Sequence, residues 1–470
     1  MSRRTVRGSK TMATETRQQA SAAPSPLARI TGVFVYLFER LLPEPFVFAI
    51  LLSVLTAVLA LLFAPKHSLP EVLTGWYAGI FQIFPFAFQM VLILVTGYAL
   101  TSSRPVSALL RRIAAIPRTP RGAVALTVFV SLVTVTLNWG FGLVASAIFA
   151  REIAKRHRLD FAWLLAGAYS GFLMFPPGLS SSIALAQATP GSPLNITQKL
   201  TGHIVPLGDS LLAPFNLVPA LILFILLPLL FSRMQPPEAE MQPADQARLV
   251  AEDAPKPHVP SEGLAGVLDR AWILNLVLVA AAFGYLGMEM ARGTFHLDIN
   301  SLILIFLALG LLLHWQPVAY VEAINGAARI TGSLLLQYPI YGGIMGIMTA
   351  TGLAGVIAKW FVAIATPATL PFWAFISSIV ISIFVPSGGG HWAVQGPFIV
   401  PAAVALHVSQ AAASQAVGYG EGVANMIQPF WALPLLAIAG IGMRRVLGFT
   451  VMSFFLSLVV FGASVLFLVR

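Results

Sequence analysis

The chain has 470 residues, 57% of them hydrophobic and only 10% charged, with a net charge of +10 and a mean hydropathy of +0.84. Soluble domains carry about 25% charged residues, so one large soluble core is excluded, and the excess positive charge reads as cytoplasmic loops and tails under the positive-inside rule rather than as a nucleic-acid surface. Apolar runs of about 20 residues, each able to cross a bilayer as a helix, recur from Phe46 onward, whereas the short alternating segments of a membrane β-barrel do not. The expected fold class is an all-α polytopic membrane protein. The chain has no cysteine, so disulfides, a thiolate nucleophile and a Cys-ligated metal are excluded.

In chain order, residues 1–26 are basic and polar without an apolar core, which argues against a secretory signal and for a disordered tail with the N-terminus in the cytoplasm. Residues 27–42 hold Arg29, Glu39 and Arg40 and read as an interfacial amphipathic helix. Residues 46–64 then cross outward, and 76–102 return to a cluster containing Arg104, Arg111, Arg112, Arg118 and Arg121. Residues 122–150 are followed at once by the basic run "REIAKRHR", so both flanks belong in the cytoplasm. About 29 residues cannot supply two spans of ~20 each. The expectation is a re-entrant hairpin turning at "LNWGFG", with its non-helical backbone buried in protein or lining a wet cavity. Residues 161–189 cross outward but are interrupted by "FPPGLSSS", whose prolines remove donors and break the helix. Residues 205–231 return inside.

The polar, Pro- and acid-rich stretch 232–268 reads as a cytoplasmic linker between two membrane repeats, 27–231 and 269–470. In the second, residues 272–288 go out and 302–314 come back, followed by an amphipathic cytoplasmic stretch with Glu322 and Arg329. Residues 334–356 go out again. Residues 372–408, between two external flanks, hold "FVPSGGGHWAVQGPFIVPA" and read as a second re-entrant hairpin. Residues 410–443 are interrupted at "GYGEGVANMIQPF" and end at Arg444 and Arg445, and 446–468 exit last.

Three landmark pairs, Pro85 and Pro339, Trp139 and Trp392, and Tyr169 and Tyr419, each stand about 250 residues apart. The order of full span, hairpin, broken span and full span is the same in both halves, and the extra crossing after the linker inverts the second. Inverted repeats whose broken helices meet near the midplane are a signature of secondary transporters. Two hairpin tips and two breaks would bring helix N-termini, which carry partial positive charge and suit an anion, to one place. The candidate substrate-binding residues are Asn138 and Trp139 at the first tip, Ser180, Ser181 and Ser182 after the first break, and Ser387, Gly388, Gly389, Gly390, His391 and Gln395 at the second tip. Candidate ion-coupling residues are Glu421, an ionisable group inside a span and hence a functional candidate, with Asn425 and Gln428. Each has a plainer role open to it: a tight turn, a helix cap, or helix–helix hydrogen bonding. No HExxH, P-loop or GxSxG element occurs, and no metal or cofactor is expected.

At "PSGGGHWAVQGP" the sequence resembles the bacterial short-chain fatty acid transporter family, and "LNWGFGL" and "GYGEGVANMIQPFWALP" are similar to it too. One departure is His391, where glutamine is expected to be common. The resemblance covers most of the chain from Leu27 on. It implies uptake of short-chain monocarboxylates such as acetoacetate or butyrate at the inner membrane, and kinship with ion transporters that move paired hairpins in an elevator-like domain. The expected function is secondary active transport driven by a proton or sodium gradient. An ion antiporter of the same architecture, and an intramembrane enzyme with His391 as base and Ser387 as nucleophile, are the alternatives. The expected partners are a monocarboxylate, a proton or sodium ion and the lipid bilayer, with a homodimer left open.

Overall fold

The computed structural model describes residues 45–252, 263–328, 331–428, 430–432, 435–436, 441 and 443–469. The expected tail 1–26 and interfacial helix 27–42 lie outside the described residues. Every regular element among those described is helical, as an apolar chain that must satisfy its own backbone groups in lipid requires.

The first half consists of α1 (Pro45–Phe63), α2 (Leu69–Gln82), α3 (Phe84–Ser102), α4 (Arg104–Ile113), α5 (Pro120–Leu137), α6 (Trp139–Ala154), α7 (Phe161–Ser170), α8 (Ser182–Ala188), α9 (Ile196–Thr201), α10 (Leu207–Leu211) and α11 (Pro214–Arg233). After α12 (Gln246–Glu252) and α13 (Gly263–Asp269) the second half runs through α14 (Trp272–Arg292), α15 (Ile299–His314), α16 (Pro317–Ala328), α17 (Gly332–Thr351), α18 (Leu353–Ile364), α19 (Leu370–Phe384), α20 (Gly388–Ala405), α21 (Gln410–Ala424) and α22 (Met443–Phe467). Five stretches are long and apolar enough to cross a membrane, Leu69–Ser102, Pro120–Leu137, Pro214–Arg233, Gly263–Arg292 and Arg445–Phe467. The chain is a multi-pass membrane protein.

Several boundaries differ from the sequence expectation for local reasons. Thr119 caps α5 by accepting the Gly122 N–H, so that helix starts before residue 122. The helix expected over 334–356 ends at Thr351, because Gly352 takes the left-handed conformation (φ 79°) and α18 leaves at 80° to α17. Pro206 and Pro214 shorten the span expected over 205–231 to α11.

The halves join through glycine. Gly75 and Gly79 of α2 face Gly342 and Gly346 of α17 so closely that a Cβ on Gly79 would lie 2.1 Å from the Gly342 carbonyl oxygen. Small residues one turn apart let membrane helices cross at backbone contact, where dispersion replaces the missing hydrophobic drive. The linker is pinned at its start. The buried Asp160 carboxylate caps α7 through the Trp163 N–H (2.9 Å), accepts the Gln242 N–H (2.9 Å) and pairs with Arg445 at 2.5 Å. That guanidinium also donates to the Glu240 carbonyl at 2.5 Å.

Two tyrosines tie the halves reciprocally. Tyr169 on α7 donates to the Asn425 carbonyl at 2.8 Å. Tyr419 on α21 reaches back to Asn216 Oδ1 at 2.7 Å. Tyr169 is the next-to-last residue of α7, Tyr419 lies in the C-terminal half of α21, and the two stand about 250 residues apart.

Candidate functional site

The first tip is a helix start. Asn138 takes an extended conformation (φ −158°, ψ 127°) between α5 and α6, and its side-chain oxygen accepts the Phe141 N–H at 2.9 Å, the usual Asn N-cap arrangement. Trp139, the first residue of α6, donates its backbone N–H to Ser180 Oγ at 2.8 Å. The Leu179 N–H bonds the Thr136 carbonyl at 2.8 Å. The tip is thereby fastened to the interruption after α7.

That interruption has a simple local cause. α7 tightens into a 3-10 turn over Gly171–Met174, and Pro176 and Pro177 then lack the N–H that would continue the helix. Ser181 restarts it as the cap of α8, accepting the Ala184 N–H at 3.4 Å. The broken backbone is clamped rather than loose. Gln415 of α21 donates to the Pro176 carbonyl (2.7 Å) and Asn216 to the Pro177 carbonyl (3.2 Å).

The second tip is the start of α20. Gly388, Gly389 and Gly390 form its first turn, whose N–H groups have no partner within a helix, and Ser387 makes no side-chain cap. The Ser387 hydroxyl instead bonds the Tyr338 hydroxyl at 3.1 Å. The glycines make room for aromatic rings. A Cβ on Gly389 would fall 2.1 Å from Phe86 Cε1, one on Gly390 2.3 Å from Tyr341 Cδ2, and one on Gly388 2.7 Å from Phe175 Cζ.

Gly388 is where the halves meet. The same Cβ position lies 3.0 Å from Glu421 Oε2, so the carboxylate on α21 reaches the unpaired first turn of α20, the end a helix dipole makes positive. Phe175 bridges from this point to the first tip, its ring edge-on to Trp139 with centroids 6.2 Å apart. Glu421 Oε1 accepts the Asn425 amide at 3.4 Å, Asn425 Oδ1 accepts from Gln428 at 2.8 Å, and Gln428 also donates to Ser382 at 3.1 Å. Glu421 is fully buried, and its Oε2 has no partner among the described residues.

The fold thus gathers Trp139, with Ser180 bonded to it, Gly388 and Glu421 around Phe175, with Asn425 and Gln428 extending the chain behind Glu421. His391, Gln395 and Ser182 each have a partner on a neighbouring helix. His391 Nε2 pairs with Gln395 Oε1 (2.6 Å) and Ser378 (3.1 Å), and Gln395 donates to the Ala374 carbonyl (3.0 Å), so both fasten α20 to α19. The Ser182 hydroxyl donates to Met90 on α3 at 3.2 Å. Trp392, expected at the second tip, lies a turn inside α20 and donates to the Leu194 carbonyl at 2.9 Å. The N-caps Asn138 and Ser387 are the better-matched landmarks. Sequence reasoning did not single out Phe175 or Trp431. Trp431, inside the quoted "GYGEGVANMIQPFWALP", packs edge-on to Trp139 with centroids 5.1 Å apart.

Among the described residues no three His, Asp or Glu side chains cluster as metal ligands would. An open cavity of about 880 Å³ lies at the ends of α3, α15 and α16, beside Tyr98, Arg104, His314 and Glu322. It holds none of the candidate residues.

Comparison with known proteins agrees with this architecture. A family model described as the short chain fatty acid transporter matches residues 26–468. Two relatives carry that family's name. One, from Escherichia coli strain K12, is 41% identical over 445 residues, covering 93% of this chain and 98% of its own. The other, from Haemophilus influenzae Rd, is 37% identical over 449 residues, covering 94% of this chain and all of its own. The crystal structure of the Alcanivorax borkumensis YdaH transporter, described as having an unusual topology, shares the fold at TM-score 0.55 and 16% identity over 90% of this chain and 98% of that one. Neisseria gonorrhoeae MtrF, described within a class of antimetabolite efflux pumps, does so at 0.58 and 16% over 93% and 97%. With a family match along nearly its whole length and two relatives above a third identical, the chain belongs to the short-chain fatty acid transporter family.

Proposed function

We propose that this membrane transporter takes up short-chain monocarboxylates of the acetoacetate and butyrate kind as a secondary symporter, and that its coupling cation, a proton or sodium, loads at Glu421. The supporting observation is the meeting of a buried, half-paired carboxylate with the uncapped first turn of α20. An unpaired buried charge is costly, so a carboxylate retained there is suited to a cation that comes and goes. A substrate anion crossing with one monovalent cation carries no net charge, which avoids part of that cost. Asn138, Trp139, Ser180 and the turn Ser387–Gly390 form the substrate side, with Ser181 and Ser182 holding the restarted helix. Asn425 and Gln428 brace the coupling side. His391 and Gln395 support the site by holding α20 on α19.

In this reading α5–α6 and α19–α20 are the two re-entrant hairpins of an inverted repeat, open to opposite faces. The protein sits in the inner membrane with its N-terminus and linker in the cytoplasm, a sidedness that the Arg clusters support, and a homodimer is compatible with this arrangement. The test is uptake of labelled butyrate into proteoliposomes under proton and sodium gradients imposed separately. One of the two should drive accumulation. Glu421→Gln should lose that accumulation and keep butyrate counterflow. If Glu421→Gln accumulates butyrate like the parent under the driving gradient, the carboxylate is structural. If the parent moves butyrate neither under a gradient nor by counterflow, the substrate assignment is wrong.

A further inference from the structure

Among the described residues six buried side-chain polar atoms lack a hydrogen-bond partner, among them Tyr320 Oη, which lies on α16 away from both tips. On the first-tip side they are donors: Asn138 Nδ2, Trp139 Nε1 and Trp431 Nε1. At the start of α20 they are Glu421 Oε2, an acceptor, and His391 Nδ1, whose role depends on the tautomer. Asn138, Trp139 and Trp431 are all more than nine-tenths buried, at 1%, 3% and 7% exposed.

An indole N–H is a donor only, and a buried one normally finds an acceptor. This chain supplies its own controls. Trp163 donates to the Phe231 carbonyl at 3.0 Å and Trp392 to the Leu194 carbonyl at 2.9 Å. Trp139 and Trp431, packed edge-on at 5.1 Å, do not follow that rule. Leaving a buried donor unmet costs about 1–3 kcal/mol, and here two indoles in contact share that condition. The apolar surroundings are equally specific. Phe172 stacks on Phe175 (5.4 Å) and leans on Trp431 (5.8 Å), while Phe175 abuts Trp139. Donor-only groups beside aromatic faces fit an acceptor-only head on a short apolar body. The dipole end of α20 already has Glu421 beside it, which leaves the first-tip donors as the better seat for a second anion.

We propose that Trp139 Nε1 and Trp431 Nε1 hold the carboxylate of the transported acid against the aromatic cluster of Phe172 and Phe175. This rests on the monocarboxylate reading above and names the subsite it uses. The two indoles belong to different halves, so substrate binding bridges first and second repeats across the site.

The test labels the indole nitrogens of the full-length protein with 15N and titrates butyrate in lipid nanodiscs. The Trp139 and Trp431 N–H resonances, assigned by Trp→Phe substitution, should move on addition of butyrate. Those of Trp163 and Trp392 should not, and butan-1-ol at equal concentration should move none of the four. Trp431→Phe and Trp139→Phe keep a ring and remove the N–H. Each should raise the half-saturating butyrate concentration about 10- to 100-fold, the range for losing one hydrogen bond to a charged group. Trp163→Phe should leave it unchanged. Resonances of Trp139 and Trp431 that stay fixed while the parent shows saturable butyrate counterflow would overturn the subsite and leave the transport reading intact. Absence of butyrate counterflow by the parent would overturn the reading on which the subsite rests.

Discussion

A single methyl group at Gly388 separates the two roles this glycine serves. In Gly388→Ala the new Cβ stands 2.7 Å from Phe175 Cζ and 3.0 Å from Glu421 Oε2. The ring contact is closer than carbon atoms tolerate, so Phe175 must move outward by several tenths of an ångström. It has little room, being 4% exposed and wedged between Phe172 and Trp139. Overpacking a tight core by one methyl costs about 1–3 kcal/mol. The protein should therefore remain folded, with a lowered unfolding temperature in detergent. The same methyl covers the unpaired face of Glu421, so gradient-driven butyrate uptake should fall by at least about tenfold, more than the stability change alone explains. Adding Phe175→Leu removes the clash with the ring but not the cover on the carboxylate. The double variant should regain thermal stability, a non-additive result expected of groups in contact. Its uptake should stay below that of Phe175→Leu alone, the reference needed because Phe175 also borders the proposed subsite. Gly388→Ala with the parent's melting temperature and uptake would refute both the packing and the access argument, and recovery of both properties in the double variant would leave packing alone.

The clamp on the broken helix is testable at Asn216, which donates to the Pro177 and Leu211 carbonyls and accepts from Gln415 and Tyr419. Asn216→Leu strands two buried carbonyls and should lower the unfolding free energy by about 2–4 kcal/mol; an unchanged denaturation midpoint would show that the break is held by packing alone. The native chain has no cysteine, so single-cysteine labelling reports sidedness directly. Arg118→Cys and Arg156→Cys should both react only from the cytoplasmic side, and Ala368→Cys and Gln410→Cys only from the opposite side. Reaction of either pair from two sides would make that helix pair a true crossing.

What the sequence determined alone is what depends on near neighbours. Apolar length forces helices in lipid, so the all-α membrane class follows from composition. Pro176 and Pro177 interrupt a helix wherever they are placed, because the missing donors are their own. Asn138 starts α6 with a bond only three residues long. The tertiary structure decided what each polar group is left to do, because satisfaction of a buried group depends on partners far along the chain. His391 reads in sequence as a candidate at a tip; the structure gives its Nε2 two partners, Gln395 on α20 and Ser378 on α19, and leaves its Nδ1 with none among the described residues. The glycines of "SGGG" read as an approach for a ligand, yet their α-carbon faces meet Phe175, Phe86 and Tyr341, brought there from other helices. Trp431 carries no local signal that separates it from Trp163 or Trp392. Among the described residues, the packing of the two halves gives those two indoles a carbonyl each and gives Trp139 and Trp431 no partner.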